Sequence, residues 1–195
     1  MSNKKDLADA KTKCVGKRVT VTLRKPANED WVILRSNSRK YRYIICNTPT
    51  RPAQLAGLVT WYKRPLNVET MDSAGQLLLG ECDFAAFQAA SCQSPTSWRN
   101  MTHVSISRRG DFVIIDLEAN AFLHHMVRNI VCSLLLVGSG LRSKEWFAGI
   151  FAGKDRTVAG DTAASAGLYL VSVSYPEGFG IPCASEAPTF LSFSV

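Results

Sequence analysis

The 195 residues are 46% apolar and 20% charged, a balance that suits one folded domain with a real core and excludes a disordered or fibrous chain. The longest apolar run, Ile130 to Val137, is far short of the roughly 20 residues of a membrane span, and the charged N-terminus has no apolar stretch behind it, so a soluble cytoplasmic protein is expected. The formal charge is +7, and residues 1 to 40 hold eleven Lys and Arg against four acids, so the whole excess lies in the first fifth of the chain. Such an arm attracts polyanions through phosphate contacts, although a Lys-rich terminus is more often merely solvated.

In chain order, the polar N-terminal segment contains one β-branched patch, Val19 to Leu23, that could form a strand. Tyr41 to Cys46 is aromatic and β-branched and stops at Asn47-Thr48-Pro49, which predicts a strand ending in a turn. A loop carrying Pro52 and Pro65 follows. Asn67 is placed to cap a helix running through Met71 and Leu77 to Leu79, with Gly80 as its stop. From Arg99 to Arg108 the alternation puts Thr102, Val104 and Ile106 on one face. After a turn at Arg109-Gly110-Asp111, Val113, Ile115 and Leu117 alternate again, so a hairpin with one buried face is expected. Leu123 to Val137 lacks Gly and Pro and predicts a buried helix closed by Gly138 and Gly140. Ser143 then caps a short helix through Trp146, Phe147 and Ile150, and Leu168 to Tyr175 forms the last strand. The predicted class is α+β, a largely antiparallel sheet covered by helices.

The six cysteines are scattered without a Cys-x-x-Cys pair and the histidines are His103, His124 and His125, so no metal-ligand spacing arises between sequence neighbours. Free thiols and no structural metal are expected. Arg128 is the residue that does not fit its surroundings, a cation one turn before the most apolar run of the chain. It either reaches water from the wet end of the helix or meets a carboxylate that satisfies its planar fork. His124, His125 and Cys132 flank it and would suit a Cys/His hydrolase, yet nothing places an acid or an oxyanion hole beside them.

Four segments follow one another in a familiar order: Ser38-Arg39-Lys40-Tyr41-Arg42-Tyr43-Ile44-Ile45, Leu79-Gly80-Glu81-Cys82-Asp83-Phe84, Asn120-Ala121-Phe122-Leu123-His124-His125-Met126-Val127-Arg128-Asn129, and Ala152-Gly153-Lys154-Asp155-Arg156-Thr157 with Ala166-Gly167-Leu168-Tyr169-Leu170 behind it. Their order and spacing resemble the tRNA pseudouridine synthase A family, over about three quarters of the chain. The resemblance implies the C-terminal half of that fold over residues 38–182, preceded by a basic segment without family match (1–37) and followed by a tail (183–195). It further implies an enzyme that isomerises uridine to pseudouridine in the anticodon arm of tRNA, without metal or cofactor, as a homodimer. The family's base-stacking tyrosine corresponds to Tyr41, and the arginine that pairs with its catalytic aspartate corresponds to Arg128. For Tyr41 the residues alone indicate only an ordinary strand tyrosine.

The sequence departs from the family in two places. No Arg-Thr-Asp-Ala-Gly, the motif that carries the family's attacking aspartate, stands anywhere in it, and Cys132 replaces a glycine. The expectation is therefore a truncated or rearranged chain that is inactive alone and whose Arg128 lacks its carboxylate. A non-catalytic RNA-binding module, and a fragment that folds only with a partner chain, are the competing readings.

Overall fold

The computed structural model describes residues 36–177 together with 181 and 188, and the backbone alone of three strands before them. Those strands, β1 (Lys11–Val15), β2 (Arg18–Arg24) and β3 (Trp31–Leu34), form an antiparallel sheet of their own in the order β1-β2-β3. The β-branched patch at Val19 to Leu23 lies within β2. The boundary at 182/183 falls outside the described residues, as does the tail apart from Pro188.

The main sheet contains β4 (Ser38–Cys46), β5 (Thr60–Trp61), β6 (Gly80–Asp83), β7 (Trp98–Arg109), β8 (Phe112–Ala119) and β9 (Leu168–Ser174), in the order β5-β4-β8-β7-β6 with β9 also on β4. All its pairs are antiparallel except the short β4–β5 pair. Three α-helices, α1 (Val68–Gly75), α2 (Met126–Gly138) and α3 (Lys144–Gly153), and three short 3₁₀ turns accompany the sheet. The α+β class and the open, largely antiparallel sheet match the expectation from sequence.

Alternation along the strands decides which face meets the helices. Tyr43 and Ile45 of β4, Val113, Ile115 and Leu117 of β8 and Val104 and Ile106 of β7 join one buried cluster with Met71 and Ala74 of α1, Ile130, Val131 and Leu134 of α2 and Phe147 of α3. Each fully buried aliphatic chain in it contributes roughly 1.5–3 kcal/mol. Ile44, Cys46, Val59 and Ile114 form a smaller cluster on the other face.

Helix ends follow local chemistry. The Asn67 side chain accepts from the Thr70 backbone N–H, and the Ser143 side chain accepts from that of Trp146, so both sequence-predicted caps form. Helix α1 and α2 approach closely because Gly138 has no side chain where the Met71 thioether lies, and the Asn67 N–H donates to the Gly138 carbonyl at 2.8 Å.

Three expectations need correction. Thr102 is exposed: the β7–β8 register shifts between Met101 and His103, so the buried face runs Met101, Val104, Ile106 rather than through Thr102. The first helix ends at Gly75 and continues as one 3₁₀ turn over Gln76–Leu78, leaving Leu79 extended and Gly80 at φ 94°. The buried helix begins at Met126 instead of Leu123, because His125 takes a left-handed conformation at φ 58° and no helix passes through it. Strands β5 and β6 were not foreseen. β6 is Gly-Glu-Cys-Asp and lacks the β-branched alternation that marks a strand.

Gly167 sits at φ 87° where an added Cβ would collide with the Ile44 carbonyl oxygen and approach the Thr60 nitrogen to 3.0 Å. Gly110 also has positive φ, 54°, but open space around it. Gly167→Ala should therefore destabilise the fold by about 2–5 kcal/mol, from strain and overpacking together, and Gly110→Ala by about 1 kcal/mol. Urea denaturation of both variants checks this; equal losses would refute the backbone clash.

Candidate active site

Where β4 enters the sheet, α2 begins and β9 returns, an open cavity of about 440 Å³ is lined by Arg39, Tyr41, Phe122, His124, His125, Arg128, Ser165 and Leu168 among others, and by no acid. Tyr41 stands on the helix-side face of β4, half-buried, with Phe122 edge-on to it at 5.0 Å between ring centroids and 85° between planes. Burial pushes the Tyr41 phenol above its ordinary pKa, and the positive charge of Arg39 offsets part of that. Its neighbour Arg42 points to the opposite face, as strand alternation requires. There it makes a two-pronged ion pair with its cross-strand partner Asp116, both bonds 2.7 Å. That hydrogen bond holds the Arg42 guanidinium above its usual pKa.

Arg128 lies in the first turn of α2, half-buried, and its Nε donates to the Ala163 carbonyl at 2.6 Å. The helix macrodipole disfavours a cation in this turn, and no acid stands there to offset it. The ion pairs among the described residues are Lys40–Asp116, Arg42–Asp116 and Lys154–Asp83, so Arg128 has no carboxylate partner there. A helix N-terminus and a guanidinium thus direct positive potential into one cavity, which favours an anion.

His124 and His125 stack at 3.8 Å between centroids at the cavity wall. The turn before them is pinned: the Ala89 N–H donates to the His124 carbonyl at 3.0 Å, and the His124 ring Nδ1 lies 3.0 Å from the Ser91 hydroxyl. A Cys/His nucleophile does not assemble here. Cys132 is one turn further along α2, and burial together with the Asp161 charge pushes its thiol pKa up, away from a reactive thiolate.

The loop 154–167 carries the residues that sequence reasoning did not single out. Asn129, fully buried, donates through Nδ2 to the Phe87 carbonyl at 2.8 Å and accepts through Oδ1 from the Thr162 hydroxyl at 2.7 Å and from Arg156 Nη2 at 3.2 Å. Arg156 Nη1 donates to the Gly160 carbonyl at 2.9 Å, and the Gly160 N–H donates to the Ser133 hydroxyl at 3.3 Å. The Ala163 N–H donates to the Arg128 carbonyl at 3.3 Å. Beyond it, the Tyr43 hydroxyl donates to the Ala164 carbonyl at 2.7 Å, anchoring the loop to the sheet. The loop is therefore clamped to α2 and β4 at once, and the carbonyl that holds Arg128 belongs to it. An Asn inside an otherwise apolar helix was the available signal, because a buried amide requires partners.

The tRNA pseudouridine synthase family model matches residues 74–176 of this chain. The tRNA pseudouridine synthase A of Tolumonas auensis is 57% identical over 157 residues, which cover 80% of this chain and 60% of that protein. Those of Pectobacterium atrosepticum and an Enterobacter species are each 52% identical over 157 residues, covering 56% and 58% of their lengths. The chain belongs to the tRNA pseudouridine synthase family, an isomerase family. It spans about 60% of the length of the curated relatives it matches. No helix among the described residues is long and apolar enough to cross a membrane.

Asn129→Ala should cost about 2–4 kcal/mol, since it leaves the buried Phe87 carbonyl unsatisfied, whereas Thr162→Val should cost about 1 kcal/mol. Asn129→Ala combined with Arg156→Ala should be non-additive in a double-mutant cycle, because the two side chains share one bond. Additive losses in chemical denaturation would show that the clamp is not a single network.

Proposed function

We propose that this chain supplies the base-gripping half of a pseudouridine synthase site acting on uridine in the anticodon arm of tRNA. The observation that carries the reading is Arg128, fixed through Nε on Ala163 with no carboxylate partner among the described residues, in the same cavity as Tyr41. In this reading the target uridine leaves its stack and Tyr41 lies beneath the base, offsetting part of the unstacking cost. Arg128 pairs with the carboxylate of an aspartate from an Arg-Thr-Asp-Ala-Gly segment that is not among these 195 residues, holding it ionised and oriented. The aspartate attacks the nucleotide, the bond from the sugar to the base nitrogen breaks, the base turns, and a sugar–carbon bond replaces it. The aspartate is released, the proton displaced from that carbon leaves to solvent and the freed base nitrogen takes one up, so product and substrate are isomers and no cofactor is consumed. The family resemblance further supports a homodimer working in the cytoplasm.

Tritium release from unmodified tRNA labelled at uridine carbon 5 tests the proposal. The chain alone should stay at background. Addition of a polypeptide bearing the Arg-Thr-Asp-Ala-Gly segment should restore release, and Arg128→Ala should abolish the restored activity by at least about a hundredfold. Turnover by the chain alone would mean that one of its own acids is the nucleophile and would overturn this division of the site.

A further inference from the structure

The cavity is not where the described body keeps its excess charge. Between residues 36 and 177, Lys63, Arg64, Arg108 and Arg109 are all exposed and have one acid, Asp111, among them; the remaining ten bases and ten acids of that span cancel. None of the four belongs to an ion pair among the described residues.

One side chain brings their segments of backbone together. Asn47, in the turn after β4, donates through Nδ2 to the carbonyls of Tyr62 and Arg64 at 2.9 and 2.7 Å. Its Oδ1 accepts from the Leu66 N–H at 3.2 Å and from Arg108 Nη2 at 2.9 Å, and Arg108 also donates to the Leu66 carbonyl at 2.9 Å. The Asn47 N–H donates to the Asp111 carbonyl at 2.8 Å, and Arg109 pairs across the hairpin with Phe112, which in turn pairs with Cys46. Segment 62–66 is thereby fastened against the β7–β8 hairpin. Arg108 is fixed there by its own bonds, and the four exposed cations with one acid concentrate positive potential at this end of the sheet, which attracts an anion.

This cluster lies at the opposite end of β4 from Tyr41. The five residue steps from Tyr41 to Cys46 span roughly 17 Å of extended strand. That separation exceeds one nucleotide, so a nucleic-acid ligand that meets both ends must be longer than one nucleotide.

We propose that Lys63, Arg64, Arg108 and Arg109 form a second RNA-contact surface, which grips the phosphate backbone of a stem while the Tyr41 end holds the target nucleotide. The inference rests on the RNA reading above and adds to it where the backbone lies. Phosphate contacts carry no sequence information, and their contribution falls with salt. Arg108, whose fork is partly fixed by its bonds to Asn47 and Leu66, suits that task.

The test measures tRNA binding by the full chain across a salt series, for the unaltered protein, for Lys63→Gln/Arg64→Gln/Arg109→Gln and for Tyr41→Ala. Arg108 is kept in the triple variant because its hydrogen bonds hold the hub, and circular dichroism confirms that the variants fold alike. The triple variant should lower the slope of log affinity against log salt by roughly 2 to 3 units, about 0.7 to 0.9 for each phosphate contact removed. Tyr41→Ala should weaken binding with the slope unchanged. If the triple variant binds with the original slope and affinity while the unaltered chain binds tRNA, the four cations are a solvated face and the inference falls alone. If the unaltered chain shows no tRNA binding at low salt, the RNA reading falls and this surface with it.

Discussion

The site depends on how the N-terminus of α2 is held. Arg128 is a cation in a helix turn whose dipole opposes it, and its position is set from outside the helix by the Ala163 carbonyl. That carbonyl belongs to a loop which, left to itself, would have no reason to stay at the sheet. Asn129 keeps it there, as a buried amide that satisfies the Phe87 carbonyl, Thr162 and Arg156 at once. Low dielectric makes such a network strong when complete and costly when any member is missing.

In the proposed site, rigidity at this corner matters for binding. A guanidinium free to rotate would lose side-chain entropy on meeting a carboxylate, whereas one already tied at Nε presents its remaining nitrogens in a restricted fan. The left-handed His125 serves the same end, since it breaks the chain just before α2 and lets Arg128 occupy the first turn instead of the helix interior. Tyr41 completes the arrangement from the sheet, lining the cavity together with Phe122, which meets it in a T-shaped contact. The two groups arrive from different elements, and only the clamped loop fixes their relation.

The fold separates positioning from charge. The face of the sheet that packs on the helices is apolar between its ends, so it behaves as a stiff plate. One end of β4 carries the cavity and the other the Asn47 hub with its four cations. On the reverse face, Arg42 is held on Asp116 by two bonds, with the Lys40 ammonium 4.0 Å from the same carboxylate.

Much of this was legible in the residues alone. Periodicity places β4, the hairpin and the apolar face of α2, because alternation and a 3.6-residue repeat are properties of local chain geometry. The caps at Asn67 and Ser143 were equally readable, since capping needs only a side chain and its own next turn. The strangeness of Arg128 and the order of the motifs were also visible, and they identified the family. The bulge that exposes Thr102, the strand at Gly80–Asp83 and the left-handed His125 were not, because each is imposed by a neighbour distant in sequence: a partner strand in the first two cases and the turn at Ala89 in the third. Asn129, Arg156 and Asn47 are in the same position. Their roles consist of hydrogen bonds across 15 to 61 residues, which exist only once packing has brought those segments together. Local physics therefore determined the elements and the candidate residues, while tertiary contact alone decided which of them share a cavity and which way Arg128 points.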